Sequence, residues 1–270
     1  MILGIDAGTS AVKLAVLDGT QVALTYYQPI VHRDSAAALR QALENSGALT
    51  LPVQQVALTG LNCEHCGAQI PGLPLSIVPE IDAIGLGGAF LSGLDEVLSV
   101  NLGTGTTFVL VRQGQCTHLG GSGIGGGTLA GLGGRLLGAG SVEQLFRLAA
   151  QGDMGRVDLR VGDLFTGSDT LNPILTASNL SKADPAAGDS DWAAGLVNLV
   201  LECAGVMAVL ACGGHGVSNV ALLGALAEQP AAQERFRLFS CLFPPRFITV
   251  PHASCATAVG AALCARRGSD

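Results

Sequence analysis

Short apolar runs that stop at glycine, rather than long amphipathic stripes, organise the first half of this chain. Residues 1–6 are apolar up to a terminal aspartate and run into a turn, the pattern of a buried strand. Residues 12–17 and 21–27 read as two more strands, joined by the hairpin turn Asp18-Gly19. Ser35 stands where an N-cap belongs, ahead of a helix to about Asn45, and residues 53–58 form a strand that ends at Thr59-Gly60. The theme then returns. Residues 96–102 make an apolar strand that enters Gly103-Thr104-Gly105, residues 107–112 make the next strand, and Gly114 supplies the turn. A short strand then leads to a third glycine-rich stretch, and a helix over 128–137 leaves it. Further on, the pattern predicts a long buried helix over 193–211, strands over 220–223 and 247–250, and a closing helix over 256–266.

Two copies of strand, Gly/Thr or Gly/Ser turn and hairpin, spaced about 97 residues apart, predict a pseudo-duplicated α/β protein. Each lobe would turn one loop into a shared cleft. The three glycine-rich stretches are Gly4-Ile5-Asp6-Ala7-Gly8-Thr9-Ser10, Asn101-Leu102-Gly103-Thr104-Gly105-Thr106-Thr107 and residues 120–128. Glycine lets the backbone approach closely and adopt positive φ, so successive N–H groups can converge on phosphate oxygens. Hydroxyls beside the glycines add donors, and an aspartate can hold the magnesium that accompanies a nucleotide. The helix after the third loop would aim its N-terminus at the cleft. These features point to phosphate handling, with ATP as the phosphate source.

Composition narrows the setting. Hydrophobic residues make up 49% of the 270 and aromatic residues only 4%, so the core must be aliphatic. A net charge of −7 with no basic run before Arg266-Arg267 argues against nucleic acid or an anionic membrane as a general partner. The first residues lack the positive region of a signal peptide, and the apolar stretch 192–212 carries Glu202 at its centre. The expectation is therefore a buried helix, not a membrane span, and a cytoplasmic protein. The eight cysteines are irregularly spaced. Cys63-Glu64-His65-Cys66 lacks the second ligand pair that a zinc site needs, so a metal-free loop is the expected reading.

The residues also carry a resemblance. Gly4-Ile5-Asp6-Ala7-Gly8 and Asn101-Leu102-Gly103-Thr104-Gly105-Thr106 resemble the acetate kinase, sugar kinase, Hsp70 and actin superfamily. Within it the chain looks like a type II pantothenate kinase. The match adds Leu58-Thr59-Gly60, Glu80-Ile81-Asp82-Ala83, residues 120–133, Asp158-Leu159-Arg160-Val161, Leu175-Thr176-Ala177-Ser178-Asn179 and Ala258-Val259-Gly260-Ala261. The resemblance implies a two-lobed, ribonuclease H-like fold with ATP in the interlobe cleft. Residues 1–78 would be the N-terminal lobe with the first phosphate loop. Residues 79–270 would be the C-terminal lobe with the catalytic helix, the second loop and the adenine-side segment. It implies phosphorylation of pantothenate at the start of coenzyme A synthesis, with ATP and Mg²⁺, by a homodimer.

Residue by residue, Glu80 matches the catalytic base, against a solvated surface acid after Pro79; Asp82 is expected to cap the following helix. Asp6 would hold Mg²⁺, or else simply form the turn after its strand. Gly8, Thr9, Ser10 and Lys13 correspond to the first phosphate loop, although Lys13 could equally lie on the strand as a solvated charge. Thr104 belongs to the second phosphate turn, and Thr106 is placed for pantothenate or phosphate. Gly126, Gly127, Thr128, Leu129 and Ala130 correspond to the segment along the nucleotide. His118 stands where the family carries an arginine at the pantothenate end, either as a replacement ligand or as an ordinary turn residue. Gly224-Ala225-Leu226 stands where relatives often place a serine beside adenine. Two alternatives follow: a kinase of the same fold for pantetheine, an amino sugar or another small alcohol, and an iron–sulfur ATPase that activates a 2-hydroxyacyl-CoA dehydratase, with Cys116 near its cluster position.

Overall fold

Alternation of side chains along one strand explains most of the first lobe. In β1 (Ile2–Ala7), Leu3, Ile5 and Ala7 point to one face and are buried, while Gly4 and Asp6 point to the other. The computed structural model describes residues 1–30, 34–61, 70, 72–164 and 172–267. β2 (Ala11–Asp18) and β3 (Gln21–Pro29) extend β1 antiparallel, and β4 (Gln55–Thr59) and β5 (Leu75–Ile77) extend it parallel on the other side, giving the order β3-β2-β1-β4-β5. Helix α1 (Ser35–Ser46) covers the Leu3 face with Leu39, Ala42 and Leu43. Asp34, not Ser35, caps it: its Oδ1 accepts from the Ala37 N–H at 2.8 Å.

Helix α2 (Glu80–Ser92) leads to a second sheet made of β6 (Glu96–Leu102), β7 (Thr106–Arg112), β8 (Gln115–Ser122), β11 (Asn219–Leu223) and β12 (Arg246–Thr249). Its order, β8-β7-β6-β11-β12, has the same sequence of antiparallel and parallel neighbours as the first. The duplication expected from the two glycine turns is therefore a duplication of topology. Between β8 and β11 lie α3 (Gly126–Leu137), α4 (Val142–Ala149), the short pair β9 (Leu159–Arg160) and β10 (Thr176–Ser178) around the single turn α5 (Val161–Leu164), and α6 (Asp189–His215). α7 (Pro230–Leu242) and α8 (Ala256–Arg267) complete the chain.

α6 is the one described helix long and apolar enough to cross a membrane, and the fold uses it as a core helix. Leu196, Val197, Val200, Leu201 and Ala204 sink into the second-lobe core. Two of its polar residues reach partners inside the protein. Asn198 Nδ2 donates to Asp158 Oδ2 at 2.6 Å, and Glu202 pairs with the buried Arg235 of α7 at 3.4 Å.

The two halves interlock through helices. α2 lies on the second sheet, and α8, the last element of the second half, lies on the first. Ala15 and Leu17 of β2 share a core with Ala258, Val259, Ala262 and Leu263 of α8. The two helices cross in backbone contact. A methyl group at Gly260 would overlap the Ala83 carbonyl, and one at Gly87 would overlap the Ala256 carbonyl. Gly4 plays the same part between β1 and Ala258.

Gly260→Ala is expected to destabilise the protein by about 1–3 kcal/mol or more, because the clash is with backbone that cannot rotate away. Gly213→Ala, near the exposed end of α6 where the added methyl meets open space, should instead stabilise by about 0.5–1 kcal/mol. Thermal melting of the two variants beside the parent protein checks both; equal shifts would disprove the packing argument.

Candidate active site

The carboxyl ends of β1 and β6 face each other across a cleft of about 890 Å³ between the sheets. Asp6 is the polar end of an otherwise apolar strand and is 3% exposed. The β1–β2 register places Lys13 opposite it, and Lys13 Nζ donates to Asp6 Oδ2 at 2.9 Å. Asp6 Oδ1 is buried and has no hydrogen-bond partner among the described residues. Burial works against the Lys13 ammonium, but the charge and hydrogen bond of Asp6 outweigh it, and its pKa lies above the ordinary lysine value.

The loops meet in a definite arrangement. Thr104 Oγ1 shares hydrogen bonds with Thr9 Oγ1 at 3.0 Å and Ser10 Oγ at 2.9 Å, so the first and second loops touch through three hydroxyls. The third loop braces the second. Gly126 N donates to Gly103 O and Gly127 N to Thr104 O, both at 2.8 Å. Thr106 Oγ1 donates to Ile124 O at 2.8 Å. Matching glycines close the two halves. Gly60, after β4, has φ +94° and approaches Ala7, while Gly224, after β11, has φ +88° and approaches Leu102.

Glu80 opens α2 directly after Pro79 and lines the same cleft. Burial, and after it the charge of Asp6, raise its carboxyl above the ordinary glutamate value, with Lys13 opposing. A raised pKa suits a group that must accept a proton near neutral pH. His118 lies on β8 at the cleft wall, beside a bulge where β7 and β8 slip register between Phe108 and Val109.

Most expected residues line the cleft: Asp6, Gly8, Thr9, Ser10, Lys13, Glu80, Thr104, Thr106, His118, Gly126, Gly127 and Ala130. Thr128 and Leu129 are not among the lining residues. Leu129 is 1% exposed and packs in the second-lobe core, because the helical turn points it inward. Thr128 turns its hydroxyl to the Gly125 N–H and the Gly123 carbonyl and closes the start of α3. Thr106, although at the cleft, is 2% exposed with its hydroxyl donated to Ile124, and Gly126 and Gly127 direct their N–H groups at the second loop. Asp82 lies inside the first turn of α2 and not at its cap, since the helix already begins at Glu80. Cys63, His65 and Cys66 lie outside the described residues. Asn101, Thr107 and Ser122, which fall in the glycine-rich stretches but carry no expected role of their own, also line the cleft, as do Glu143 and Gln229, which lie outside those stretches. For Asn101 a signal existed, because the duplication places it at the position that Asp6 holds in the first sheet.

A duplicated α/β architecture with a loop-lined interlobe cleft is the actin, Hsp70 and sugar kinase fold. Solved structures agree on the fold. The chain is similar to component A of Acidaminococcus fermentans (R)-2-hydroxyglutaryl-CoA dehydratase (TM-score 0.70, 17% identity, covering 100% of this chain and 99% of that one). It is also similar to a ROK family glucokinase from Streptomyces griseus, solved with glucose and AMPPNP (TM-score 0.63, 14% identity, 99% of both chains). The profile of the Fumble family matches residues 96–235. The type II pantothenate kinase of Oceanobacillus iheyensis is 32% identical over 211 residues, 74% of each chain. The chain belongs to the type II pantothenate kinase family.

The raised Glu80 pKa carries a sign for both activity and stability. A carboxyl whose pKa is higher in the folded state stabilises the fold at low pH, and that contribution is lost as pH rises from its unfolded value through its folded one. Glu80→Gln should therefore melt no lower than the parent at pH 7 while losing about 10²–10⁴-fold in turnover. The parent's activity should fall on the acid side at a pH above the ordinary glutamate range. An acid limb that survives in Glu80→Gln would assign it to another group.

Proposed function

We propose that this protein transfers the γ-phosphoryl group of ATP to the primary hydroxyl of pantothenate, the first step of coenzyme A synthesis. The observation that carries the reading is one cleft holding Glu80, the Asp6–Lys13 pair and two hydroxyl-bearing glycine loops, in a chain of this family. Phosphoryl transfer asks little covalent chemistry of a protein: an in-line hydroxyl, neutralised phosphate charge and a proton acceptor suffice.

Glu80 takes the hydroxyl proton as the acceptor oxygen bonds to the γ-phosphorus. The bond from that phosphorus to the β–γ bridging oxygen breaks, and ADP leaves with the electron pair. Thr9, Ser10 and Thr104 exchange their mutual hydrogen bonds for phosphate oxygens. Lys13 holds Asp6 Oδ2, and Oδ1, buried beside Gly60, has no partner among the described residues. A hard cation seeks such a bare carboxylate oxygen, so the residues fit Mg²⁺, with Asp6 as its protein ligand. Bound there, the ion would neutralise phosphate charge. His118 stands on the acceptor side, on the strand whose Cys116 meets the first turn of α2. We also propose a cytoplasmic homodimer.

The iron–sulfur alternative has less support. The Cys116 thiol packs against Gly85 and donates to the Asp82 carbonyl at 3.8 Å, inside the fold. The likeness to component A is one of fold at 17% identity.

The purified protein with ATP and Mg²⁺ should release ADP only when pantothenate is added, and excess EDTA should stop it. Turnover with pantetheine or an amino sugar but not pantothenate would keep the kinase and overturn the acceptor. Asp6→Asn should raise the Mg²⁺ concentration needed for half-maximal rate at least about tenfold, because one charge-assisted ligand is lost. An unchanged Mg²⁺ dependence would remove Asp6 from the metal site.

A further inference from the structure

We propose that Gln229 reads the amino-bearing edge of the purine base, which makes it the specificity-determining residue for adenine in this cleft. The inference rests on the proposed phosphoryl transfer only for the direction in which the nucleotide lies. Glu80 and the Asp6–Lys13 pair, which line the same cleft, mark the end where the γ-phosphate meets its acceptor. The phosphates then pass the hydroxyls of Thr9, Ser10 and Thr104, and the nucleoside must continue to the remaining end. Gly224, Ala225, Leu226, Gln229, Ala130 and Val142 are among the residues that line the cleft away from those groups in sequence. The small and apolar residues among them suit the faces of a flat base. Leu226 also adjoins Gly126 at the start of α3.

Gln229 is out of place by local rules. It occupies the N-cap of α7, where Ser, Thr, Asp or Asn would accept a backbone N–H, and its side chain makes no capping bond. Pro230 at the first helical position already sets the helix direction without needing one. The carboxamide has no hydrogen-bond partner among the described residues, whereas the backbone beneath it is held firmly. Gln229 N donates to Leu226 O at 3.1 Å, and Gln229 O accepts from Ala232 N at 2.9 Å and Gln233 N at 3.0 Å. On the segment before it, Glu228 Oε1 accepts from Ser254 N at 2.8 Å, and Gly224 N donates to Ala253 O at 2.7 Å. The result is an unengaged amide on a pinned backbone at the base end of the cleft. A carboxamide offers one acceptor and two donors, which match the N6 amino group and N7 of adenine; guanine presents two acceptors on that edge and cannot satisfy both.

Equilibrium binding of ATP, GTP and purine riboside triphosphate, which lacks the 6-amino group, tests this without any acceptor substrate. The parent protein should bind ATP about three- to tenfold more tightly than the purine analogue, the range of one hydrogen bond. Gln229→Leu should erase that difference by weakening ATP more than the analogue, which shares only the N7 bond, and Gln229→Ala should do the same if the leucine variant does not fold. A parental ATP-to-analogue ratio in either variant would overturn the proposal. So would an equal loss of all three nucleotides, which would mark Gln229 as structural support. Failure of pantothenate turnover alongside the expected binding pattern would count against the acceptor and leave Gln229 in its role.

Discussion

The crossing of α2 and α8 is the contact on which the rest of the architecture depends. Gly87 and Gly260 bring the two helix backbones together with no side chain between them, and Gly4 brings α8 equally close to β1. Each helix lies on one sheet, so their separation sets the separation of the sheets and with it the width of the cleft. α2 starts at Glu80, so the same crossing also places the carboxylate that lines the cleft with the glycine loops. Close-packed backbone has little room to yield, and this contact therefore couples the stability of the interlobe joint to the geometry of the site.

Within the cleft, charge and hydrogen bonding are divided among the three loops. The first loop brings Asp6 and Lys13, which satisfy one another at one carboxylate oxygen and leave the other bare. The second brings Thr104 into contact with Thr9 and Ser10 from the opposite lobe. The third, the richest in glycine, faces inward and supports the second through the Gly126 and Gly127 N–H groups. Its glycines serve close approach between loops as well as approach to a ligand. Burying Glu80 near Asp6 is unfavourable for its charged form, and such local strain is characteristic of sites where a proton must move.

Much of the fold was legible because strands in a covered sheet must be apolar and must stop where the chain turns. The runs at 12–17, 96–102 and 220–223 lie within or coincide with β2, β6 and β11. α7 escaped because its pattern is mixed, although Pro230 at its first position was a usable start signal. Asp34 was passed over for Ser35 because either residue can cap and only the backbone geometry chooses between them. Leu129 and Thr128 sit in a segment whose glycines signal a ligand loop, yet one helical turn sends the leucine to the core and the threonine to its own backbone.

The sequence by itself determined the local chemistry: which strands end in glycine turns, where Asp6, Glu80 and the loop hydroxyls stand along the chain, and that two similar units occur in tandem. Those properties depend on residue type and near neighbours. Only the tertiary structure decided that the last helix covers the first sheet, that the third loop bonds to the second, and that Asp6 keeps one oxygen unpaired beside Lys13. Each of these depends on segments far apart in the chain meeting at a particular distance and angle, and a one-dimensional pattern of residue types does not carry that information.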